Sequence, residues 1–544
     1  MLNEPAIGKT FFGREAILRT LNKRVNALKV GYRQNVALTG QMLSGKTSIL
    51  YQFLYSLNDT HIIPVYIEIV EETFAAFADK FIATLLYNYL ISSGRDAKND
   101  LKHLLSSSEP LIPHTTYAIK KIKNDLSKKR NDDAYRKLLN LTSILKEETG
   151  KSCVVILDEF HNLEFFKVKK PYLHFGKIIM IQKDTMYIVS SSQKSTIKKI
   201  LSEKLALLYG NFEIIEVTGF DSKTAQAFLK EKLQNIQIPE GYSEYIIDFT
   251  DGNPFYIDVI SKKIVEIANS RKLLSIDRET LTEAFSELLY NASGTINQYF
   301  TNNILNLLEK GLREDFLDLL IALAHGFNKS ADMAKWFNKK NKSGFTNRLS
   351  KLIQLDMIYK SGVFYEIQDK VFKFWLKTVY HKKRSALVDD VIKMCDDFKR
   401  EVSDDISAYL AESQKNISER LTDLFLSFNG ETVEIERKIR KLPRFVKIEA
   451  REYGKSADLL MYQGDDKYWV YEVCREKIDE FVVSELIERC YPLREKISKK
   501  IFIPLGGIET NALLLAKEKK VWVWDLQNVN RLLRFYKKHN IVYR

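Results

Sequence analysis

Short apolar runs alternate with longer amphipathic stretches in residues 1–217, and this alternation predicts an α/β fold. The runs include "NVALTG", "CVVILD", "MYIVSS" and "FEIIEV". Apolar runs of this length are typical of parallel strands that helices cover on both faces. The stretch "KTSILYQFLYSL" has the apolar spacing of a helix. We therefore expect a parallel sheet with flanking helices in residues 1–215.

The middle of the chain reads as mostly helical. Amphipathic stretches predict a small helical lid in 216–300 and a helical linker in 386–425. Between them, in 301–385, "REDFLDLLIALAHG", "KSADMAKWFNKKN" and "SGFTNRLSKLIQLDM" predict three short helices, and "MIYKSGVFYEIQD" predicts a hairpin. Three helices followed by a hairpin are the elements of a winged helix.

Residues 426–544 return to an α/β pattern. The segment "ETVEIERKIRKL" predicts a helix, and three strand-like segments follow, "RFVKIEAREYG", "KSADLLMYQGDD" and "KYWVYEVCREK". A helix, the strand "KKIFIPLGG", another helix and the strand "VWVWDLQNV" complete the predicted order. We expect a separate C-terminal α/β domain.

Composition and charge narrow the class of protein. The chain has 544 residues, too many for one core, so several domains are expected. No apolar run approaches the ~18–20 residues that cross a bilayer, and four scattered cysteines lack disulfide or zinc spacing, so we expect a cytoplasmic protein without membrane contact. The net charge of +14 fits either a solubilising surface or an acidic partner such as nucleic acid.

The segment "GQMLSGKTS" after the first apolar run fits the P-loop pattern G-x-x-x-x-G-K-[ST]. The strand predicted before it and the helix predicted after it are the context that this motif requires. The loop N–H groups would surround phosphate oxygens, Lys46 would reach the β- and γ-phosphates, and the hydroxyl of Thr47 would ligate Mg²⁺. The predicted nucleotide-binding residues are Gly40, Gln41, Met42, Leu43, Ser44, Gly45, Lys46, Thr47 and Ser48.

Two carboxylates end the run "CVVILDEF", at the edge of the sheet where ligands bind in parallel α/β folds. Asp158 is expected to hold Mg²⁺ through water, and Glu159 to orient or deprotonate an attacking water. The following strand ends in Ser191, Ser192 and Gln193. Each of these qualifies as a contact to the γ-phosphate; we favour Ser192, while a simple turn is almost as consistent.

The motifs "FFGRE", "VVILDEF", "VTGFD" and "DGNPFYI" together resemble the archaeal-type ATPases of the STAND branch of AAA+-related P-loop proteins. This resemblance implies ATP as the nucleotide. It implies that Phe12, Gly13 and Arg14 lie near the adenine. It also implies that Pro254 contacts the nucleotide from the lid. Where relatives often carry an arginine after Tyr-Gly, this chain has Asn211, which implies slow hydrolysis.

The predicted winged helix is a candidate DNA-binding element. Its third helix would enter the major groove and its wing would touch the DNA backbone. In ATPases of the resembled family this domain often packs against the nucleotide module as a regulatory element, so both interpretations stay open. The candidate DNA contacts are Thr346, Asn347, Arg348 and Lys351 on the helix and Lys360 on the wing.

The order of elements predicted after residue 426 resembles restriction-endonuclease-like, PD-(D/E)xK domains. The resemblance implies that Asp458 and Glu472 converge on a divalent metal, with Glu434 on the first helix as an additional acid. Such domains carry a lysine two residues after the Glu, and here that position holds Cys474. Lys477 is a substitute from the following turn. We expect an active nuclease or, in better agreement with Cys474, a degenerate domain that binds DNA or a partner.

Two functions are consistent with these features. The first is a P-loop ATPase that uses ATP and Mg²⁺ and acts on DNA or is regulated by it. The second is a STAND-type switch that controls self-assembly into a homo-oligomer or a protein partner. Salt-dependent DNA affinity distinguishes them, because binding through phosphate contacts weakens steeply with salt. Nothing in the sequence supports a metabolic enzyme.

Overall fold

The computed structural model describes residues 4–205, 210–309, 314–337, 343–385, 391–435, 438–453, 456–464, 467–491 and 494–543. The side chains of 343–344, 391–392 and 450–464 lie outside this description. The chain divides into two compact units, Met1–Gly219 and Phe220–Arg544. The division lies near the predicted boundary at residue 215, while the finer boundaries at 300, 385 and 425 stay predictions.

The first unit is built on the predicted parallel sheet. Its strands are β1 (Asn35–Gly40), β2 (Ile62–Glu68), β3 (Ser152–Asp158), β4 (Thr185–Ser191) and β5 (Phe212–Val217). Their order across the sheet is β2-β3-β4-β1-β5, and every neighbouring pair is parallel. Its helices are α1 (Glu15–Lys29), α2 (Lys46–Ser56), α3 (Phe74–Ser92), α4 (Leu101–Ser108), α5 (Pro113–Ser127), α6 (Asn131–Thr149), α7 (Pro171–Ile181) and α8 (Lys194–Lys199).

Helices cover both faces of this sheet, which explains why its central strands are apolar throughout. β1, β3 and β4 are buried along their whole lengths. Side chains of α1 and α2, such as Leu21 and Phe53, pack on one face, and those of α3 and α6, such as Phe81 and Leu138, on the other. Because all strands are parallel, their carboxyl ends share one edge, and β4 lies between β1 and β3 there.

The helix α3 corrects one expectation about membranes. By length and composition alone it is long and apolar enough to cross a bilayer, although the sequence was expected to contain no such segment. Half of this helix is buried inside the protein, and Phe77, Ile82 and Leu86 belong to the core under the sheet. Core helices of this kind pass the same test, so α3 is weak evidence for a membrane.

The second unit opens with helices, as predicted for the lid, and continues with three helices and a hairpin. The first set is α9 (Ser222–Leu233), α10 (Glu240–Thr250), α11 (Pro254–Arg271), α12 (Arg278–Phe285) and α13 (Thr295–Glu309). Then follow α14 (Glu314–Ala324), α15 (Ser330–Trp336), α16 (Ser343–Gln354) and the antiparallel pair β6 (Ile358–Ser361) and β7 (Phe364–Ile367). These are the elements expected of a winged helix; a DNA-binding role for them stays a prediction.

The predicted linker is helical but packed. Four helices follow the hairpin: α17 (Lys370–Trp375), α18 (His381–Ser385), α19 (Val391–Gln414) and α20 (Ile417–Phe425). Val402, Ile406 and Tyr409 on α19 are almost fully buried. The ring of Tyr409 lies 5.7 Å from that of Tyr245 on α10. α19 is therefore part of the core of the second unit.

The C-terminal region contains a mixed sheet. Its strands are β8 (Thr432–Ile435), β9 (Lys438–Lys441), β10 (Lys447–Tyr453), β11 (Ser456–Gly464), β12 (Lys467–Cys474), β13 (Ile497–Pro504) and β14 (Trp522–Val523). Its helices are α21 (Glu480–Cys490), α22 (Thr510–Glu518) and α23 (Leu526–Phe535). β10 to β14 form one sheet in chain order, antiparallel up to β12 and parallel from β12 onwards.

Two predicted elements of this region were wrong. The segment expected to be the first helix forms the antiparallel hairpin β8–β9, because Val433 and Ile435 alternate into the core with a period of two. Glu434 thus lies on a strand. The predicted last strand "VWVWDLQNV" is a strand only in β14, since the carboxylate of Asp525 accepts a hydrogen bond from the Asn528 N–H and begins α23.

Candidate functional site

The P-loop turns between β1 and α2 at the carboxyl edge of the sheet. Leu43 and Gly45 have positive φ angles of 62° and 90°, so the backbone curls back on itself. A Cβ at Gly40 would lie 2.5 Å from the carbonyl oxygen of Val217 and 2.8 Å from Oγ of Ser44. Only glycine fits at position 40. The loop therefore forms the narrow backbone cradle that a phosphate group requires.

Lys46 opens α2 and is only 5% exposed. Its Nζ donates to the carbonyl oxygens of Gly40 at 3.1 Å and Gln41 at 2.8 Å, within the loop itself. Burial lowers the pKa of the amine, and the nearby carboxylate of Glu159 opposes that shift. The ammonium group is thus held over the cradle by neutral acceptors, which leaves its charge available to an anion.

Asp158, at the end of β3, is almost fully buried and accepts hydrogen bonds from four groups. Three are hydroxyls: Thr47 Oγ1 at 3.0 Å, Tyr66 OH at 3.0 Å and the hydroxyl of Ser190. The fourth is the N–H of Glu159 at 3.0 Å. By donating its proton to Asp158, the Thr47 hydroxyl keeps its lone pairs for a cation. The two predicted Mg²⁺ ligands are in direct contact.

Glu159 follows in a left-handed conformation, with φ of 53°, which is a strained backbone for a residue with a side chain. Its Oε2 accepts from the N–H of Ser192 at 3.0 Å and from the Ser192 hydroxyl at 2.9 Å. His161 Nδ1 lies 3.2 Å from the same oxygen and 3.0 Å from the hydroxyl of Ser191. Burial raises the pKa of Glu159 and lowers that of His161 to about 4, so the imidazole is neutral at pH 7.

The segment before α1 is tied to the P-loop. Gly13 and Arg14 both have positive φ, and the guanidinium of Arg14 donates to the carbonyl oxygen of Ser44 at 3.4 Å and to that of Thr218 at 2.5 Å. Further upstream, the N–H of Gly8 donates to Gln52 Oε1 on α2 at 2.7 Å. The residues expected near the adenine therefore border the loop.

Comparisons with known proteins agree with this geometry. Residues 11–260 match a family model described as an ATPase domain predominantly from Archaea. This part of the chain is therefore similar to archaeal-type ATPase domains. An uncharacterised ATP-binding protein of Pyrococcus abyssi is 25% identical over 256 residues, 45% of this chain and 70% of that protein. Another, of Methanocaldococcus jannaschii, is 25% identical over 271 residues, 46% of this chain and 72% of that protein.

A solved structure similar to this one is the Walker-type ATPase of Pyrococcus abyssi. It is 19% identical, with a TM-score of 0.47, and the alignment covers 69% of this chain and 99% of that structure.

Pro254, the residue predicted to contact the nucleotide from a lid, lies in the second unit. Pro254 is the first residue of α11, and Asn253 before it caps the helix by accepting from the N–H of Phe255 at 2.9 Å. This is a favourable helix start, with proline at the position whose N–H has no helical partner. A contact between Pro254 and the nucleotide stays a prediction.

Asn211 lies at the opposite edge of the sheet from the P-loop. Its carbonyl oxygen accepts from the N–H of Asn35 at 3.1 Å, at the beginning of β1. The P-loop starts at the other end of that strand, five residues and about 17 Å away. An arginine at position 211 would not reach a phosphate bound in the same chain. Slow hydrolysis stays a prediction.

The C-terminal sheet places the predicted nuclease residues on neighbouring strands. Asp458 on β11 is opposite Glu472 on β12 in the antiparallel register, and the Asp458 side chain lies outside the described residues. The carboxylate of Glu472 is 3% exposed and forms an ion pair with Arg489 of α21 at 2.7 Å. Glu434 does not belong to a helix beside them: its N–H donates to Ser361 Oγ at 2.9 Å.

Neither Cys474 nor Lys477 supplies the missing ammonium group to Glu472 in the part of the chain that the structure describes. Cys474 is buried in an apolar cluster with Val470. Lys477 is exposed and forms an ion pair with Glu509 at 2.9 Å. The described side chains therefore give Glu472 a guanidinium as its cationic neighbour.

The predicted DNA contacts divide into exposed and engaged residues. Thr346, Asn347 and Lys351 are exposed on α16, whereas Arg348 forms an ion pair with Asp315 at 2.8 Å. On the wing, Lys360 is exposed, with its amine 5.5 Å from the ring centre of Tyr365.

The tip of the β6–β7 hairpin, the predicted wing, is covered by the C-terminal region. The N–H of Val363 donates to the carbonyl oxygen of Thr432 at 3.0 Å, and a Cβ at Gly362 would lie 1.9 Å from that oxygen. The ring of Phe364 stacks on that of Phe535 with centres 4.8 Å apart. A backbone contact to DNA by the wing tip would require this interface to open.

Sequence reasoning missed four residues of these sites. Tyr66, Ser190 and His161 surround the acidic pair, and Arg489 neutralises Glu472. Tyr66 and Ser190 come from strands on the two sides of β3, and the sequence does not give that strand order. His161 follows Glu159 by two residues, so the sequence alone could have suggested it as a neighbour of that carboxylate.

Proposed function

We propose that the protein binds ATP with Mg²⁺, hydrolyses it, and acts on DNA or is regulated by it. The observation that carries the first part is the contact between Thr47 and Asp158 directly beside the Lys46 amine and the carboxylate of Glu159. A phosphate cradle, a buried cation and two adjacent carboxylates are the groups that phosphoryl transfer to water needs.

Each residue has one role in this proposal. Lys46 neutralises charge on the β- and γ-phosphates, and Thr47 and Asp158 hold the metal, Asp158 through water. When bound, Mg²⁺ would neutralise the charge that develops on the phosphate oxygens. Glu159 orients the attacking water and accepts its proton. Ser192, which donates twice to Glu159, fixes that carboxylate, so Ser192 acts as a positioning residue for the base.

The DNA part of the proposal rests on charge and on α16. The chain carries a formal net charge of +14, and α16 exposes Thr346, Asn347 and Lys351 on one helix. Hydroxyl, amide and ammonium groups on a helix of this size suit the major groove. Because the wing tip is covered by Thr432, we propose that α16 makes the contact and that the wing tip does not.

The C-terminal domain is proposed to be a degenerate nuclease. A metal between Asp458 and Glu472 would have to compete with the guanidinium of Arg489, which already neutralises Glu472 in a buried place. Cys474 supplies no ammonium group, and Lys477 is engaged with Glu509. In this proposal the domain contributes binding surface without cleavage.

One observation favours the alternative, a STAND-type switch with a protein partner or self-assembly. The wing tip and the C-terminal region form a continuous interface through Val363 and Phe364. A wing covered by another part of the chain is expected of a winged helix that has a regulatory role and does not bind DNA.

DNA binding at two salt concentrations tests the choice between these functions. The experiment compares wild type with Lys351→Ala and with the control Lys399→Ala, an exposed lysine on α19. The DNA proposal predicts salt-sensitive binding, with the slope of log affinity against log salt reduced by about one for Lys351→Ala and unchanged for Lys399→Ala. Absence of salt-sensitive binding by wild type would favour the switch.

Plasmid cleavage with Mg²⁺ or Mn²⁺ tests the proposed degeneracy. Intact plasmid is expected for wild type. Cleavage that disappears in both Asp458→Ala and Glu472→Ala would make the domain an active nuclease despite Cys474.

A further inference from the structure

A cavity of about 240 Å³ lies inside the second unit, and every residue that lines it belongs to that unit. Five parts of the chain form it: α10, the turn after α14, β7 with α17, α19, and the segment that ends α23. Six basic side chains line it, against three acidic ones: Lys370, Lys373, Lys377, Arg534, Lys537 and Lys538 against Asp248, Glu366 and Asp405.

Each of the three acids already has a partner. Asp248 is buried, and the surrounding cations hold its pKa at about 2 despite its burial. Lysines compensate the charges of Asp248 and Glu366, whereas Asp405 accepts only from a neutral hydroxyl, so one carboxylate charge offsets the remaining lysines. The contacts are Asp248 with Lys370 at 2.5 Å and with His539 Nδ1 at 3.0 Å, Glu366 with Lys373 at 2.6 Å, and Asp405 with the hydroxyl of Tyr245 at 2.9 Å.

Three lysines of the cavity remain. Within the part of the chain that the structure describes, Lys377, Lys537 and Lys538 form no ion pair with a carboxylate. Lys537 extends over Gly326, where a Cβ would lie 2.4 Å from its Cε and 2.8 Å from its Nζ. Glycine at 326 thus leaves the room that this side chain occupies at the cavity wall.

The remaining walls are apolar, and the cavity is small. Phe249, Ile367 and Phe374 contribute aromatic and aliphatic surface beside the ammonium groups. Pockets for drug-sized ligands start at roughly 300 Å³, so this cavity suits a compact anion and excludes a DNA duplex. A concentrated positive charge in a partly apolar recess attracts a compact group that carries several negative charges.

We propose that this cavity is a second anion site that binds the phosphate groups of a phosphate ester, with Lys377, Lys537 and Lys538 as its ligands. The ester is either a free phosphorylated small molecule or the terminal phosphate of a nucleic-acid strand. The site is independent of the P-loop and of the ATPase function proposed above.

Pyrophosphate binding to the full-length chain tests this site, measured by calorimetry in a Lys46→Ala background that disables the P-loop. The cavity variant combines Lys377→Gln, Lys537→Gln and Lys538→Gln, which keep most of each stem and remove its charge. Its matched control removes three exposed lysines elsewhere in the second unit, Lys223→Gln, Lys230→Gln and Lys517→Gln. Pyrophosphate affinity is expected to fall at least tenfold in the cavity variant and less than twofold in the control.

Absence of pyrophosphate binding, or equal losses in both triple variants, would overturn the proposal. A second measurement avoids variants that fail to fold: acetylation of wild-type lysines read by mass spectrometry. Pyrophosphate should protect Lys377, Lys537 and Lys538 and leave Lys223 unprotected, and unprotected cavity lysines would also overturn the proposal. Comparison of 5′-phosphorylated and 5′-hydroxyl oligonucleotides identifies the source, since a strand end requires tighter binding of the phosphorylated one.

Discussion

Asp158 in the first unit and Glu472 in the second are both buried carboxylates on β-strands, but their surroundings differ. Asp158 is 1% exposed and receives three hydroxyl groups and one N–H. Glu472 is 2% exposed and receives the guanidinium of Arg489. Hydroxyls are neutral donors, so the charge of Asp158 is still available to a metal, whereas the charge of Glu472 is already compensated.

A carboxylate at the position expected of a metal ligand is therefore not, by itself, evidence for a metal site. A buried carboxylate is stable only with a cationic partner, and a side chain that already fills this role leaves no need for a metal ion. Near Asp158 lies the amine of Lys46, which donates to carbonyl oxygens of the phosphate cradle. At Glu472 a helix of the same domain supplies the cation.

The largest expected effect follows from removing the Lys46 amine. Lys46→Ala should abolish measurable ATP binding, and turnover with it, because truncating a buried hydrogen-bonded cation costs about 2–5 kcal/mol or more. Lys29→Ala is the control, since Lys29 forms an exposed ion pair with Asp59. Equilibrium binding of a fluorescent ATP analogue measures both, and wild-type affinity in Lys46→Ala would refute the P-loop assignment.

Glu159→Gln should separate binding from chemistry. The amide keeps the shape of the side chain and loses its ability to accept a proton, so kcat should fall roughly 10²–10⁴-fold with ATP affinity nearly unchanged. Steady-state phosphate release and ATP binding on the same sample measure the two quantities. Normal turnover would show that Glu159 is not the base.

The pair around Glu472 is expected to be structural. Arg489→Met should destabilise the second unit by about 3–5 kcal/mol, because it leaves a buried carboxylate without its cation. The double variant Arg489→Met with Glu472→Gln should recover much of that loss. Lys519→Met, which breaks an exposed pair with Glu518, should cost less than about 1 kcal/mol. Urea unfolding checks all three, and a small effect of Arg489→Met would mean that Glu472 has another counter-charge.

The smallest effect concerns acid stability. The folded pKa of His161 is about 4, below the ordinary value near 6.5, so the folded state resists protonation more than the unfolded chain does. The free energy of unfolding that depends on neutral His161 is fully present above about pH 6.5. It is lost as the pH falls toward 4, and the total loss is about 3 kcal/mol. His161→Gln should flatten the unfolding free energy across that range, and His61→Gln, exposed, should not. Equal slopes in the two variants would contradict this environment.

The sequence predicted the first unit better than the second, for physical reasons. The apolar runs of β1, β3 and β4 are long and buried on both faces, so their pattern is unambiguous. The hairpin β8–β9 was mistaken for a helix, because a short charged segment such as "TVEIERKIRK" fits both periods, and its burial depends on a distant partner.

The candidate sites divide in the same way. The P-loop and the acidic pair are local motifs that the sequence displays directly. Tyr66 and Arg489 become neighbours of the carboxylates only through strand order and helix packing. The position of Asn211 at the amino end of β1 was likewise not predictable, because its place along the chain does not reveal which edge of the sheet it occupies.

Binding of Mn²⁺, followed by electron paramagnetic resonance with ATP present, tests the contrast between the two carboxylates most directly. Wild type should bind one Mn²⁺ with the nucleotide; Asp158→Asn should weaken that binding, and Glu472→Gln should leave it unchanged. A second Mn²⁺ bound by wild type and lost in Glu472→Gln would show that Glu472 also binds a metal. That result would contradict this account and support a metal-dependent nuclease in the C-terminal domain.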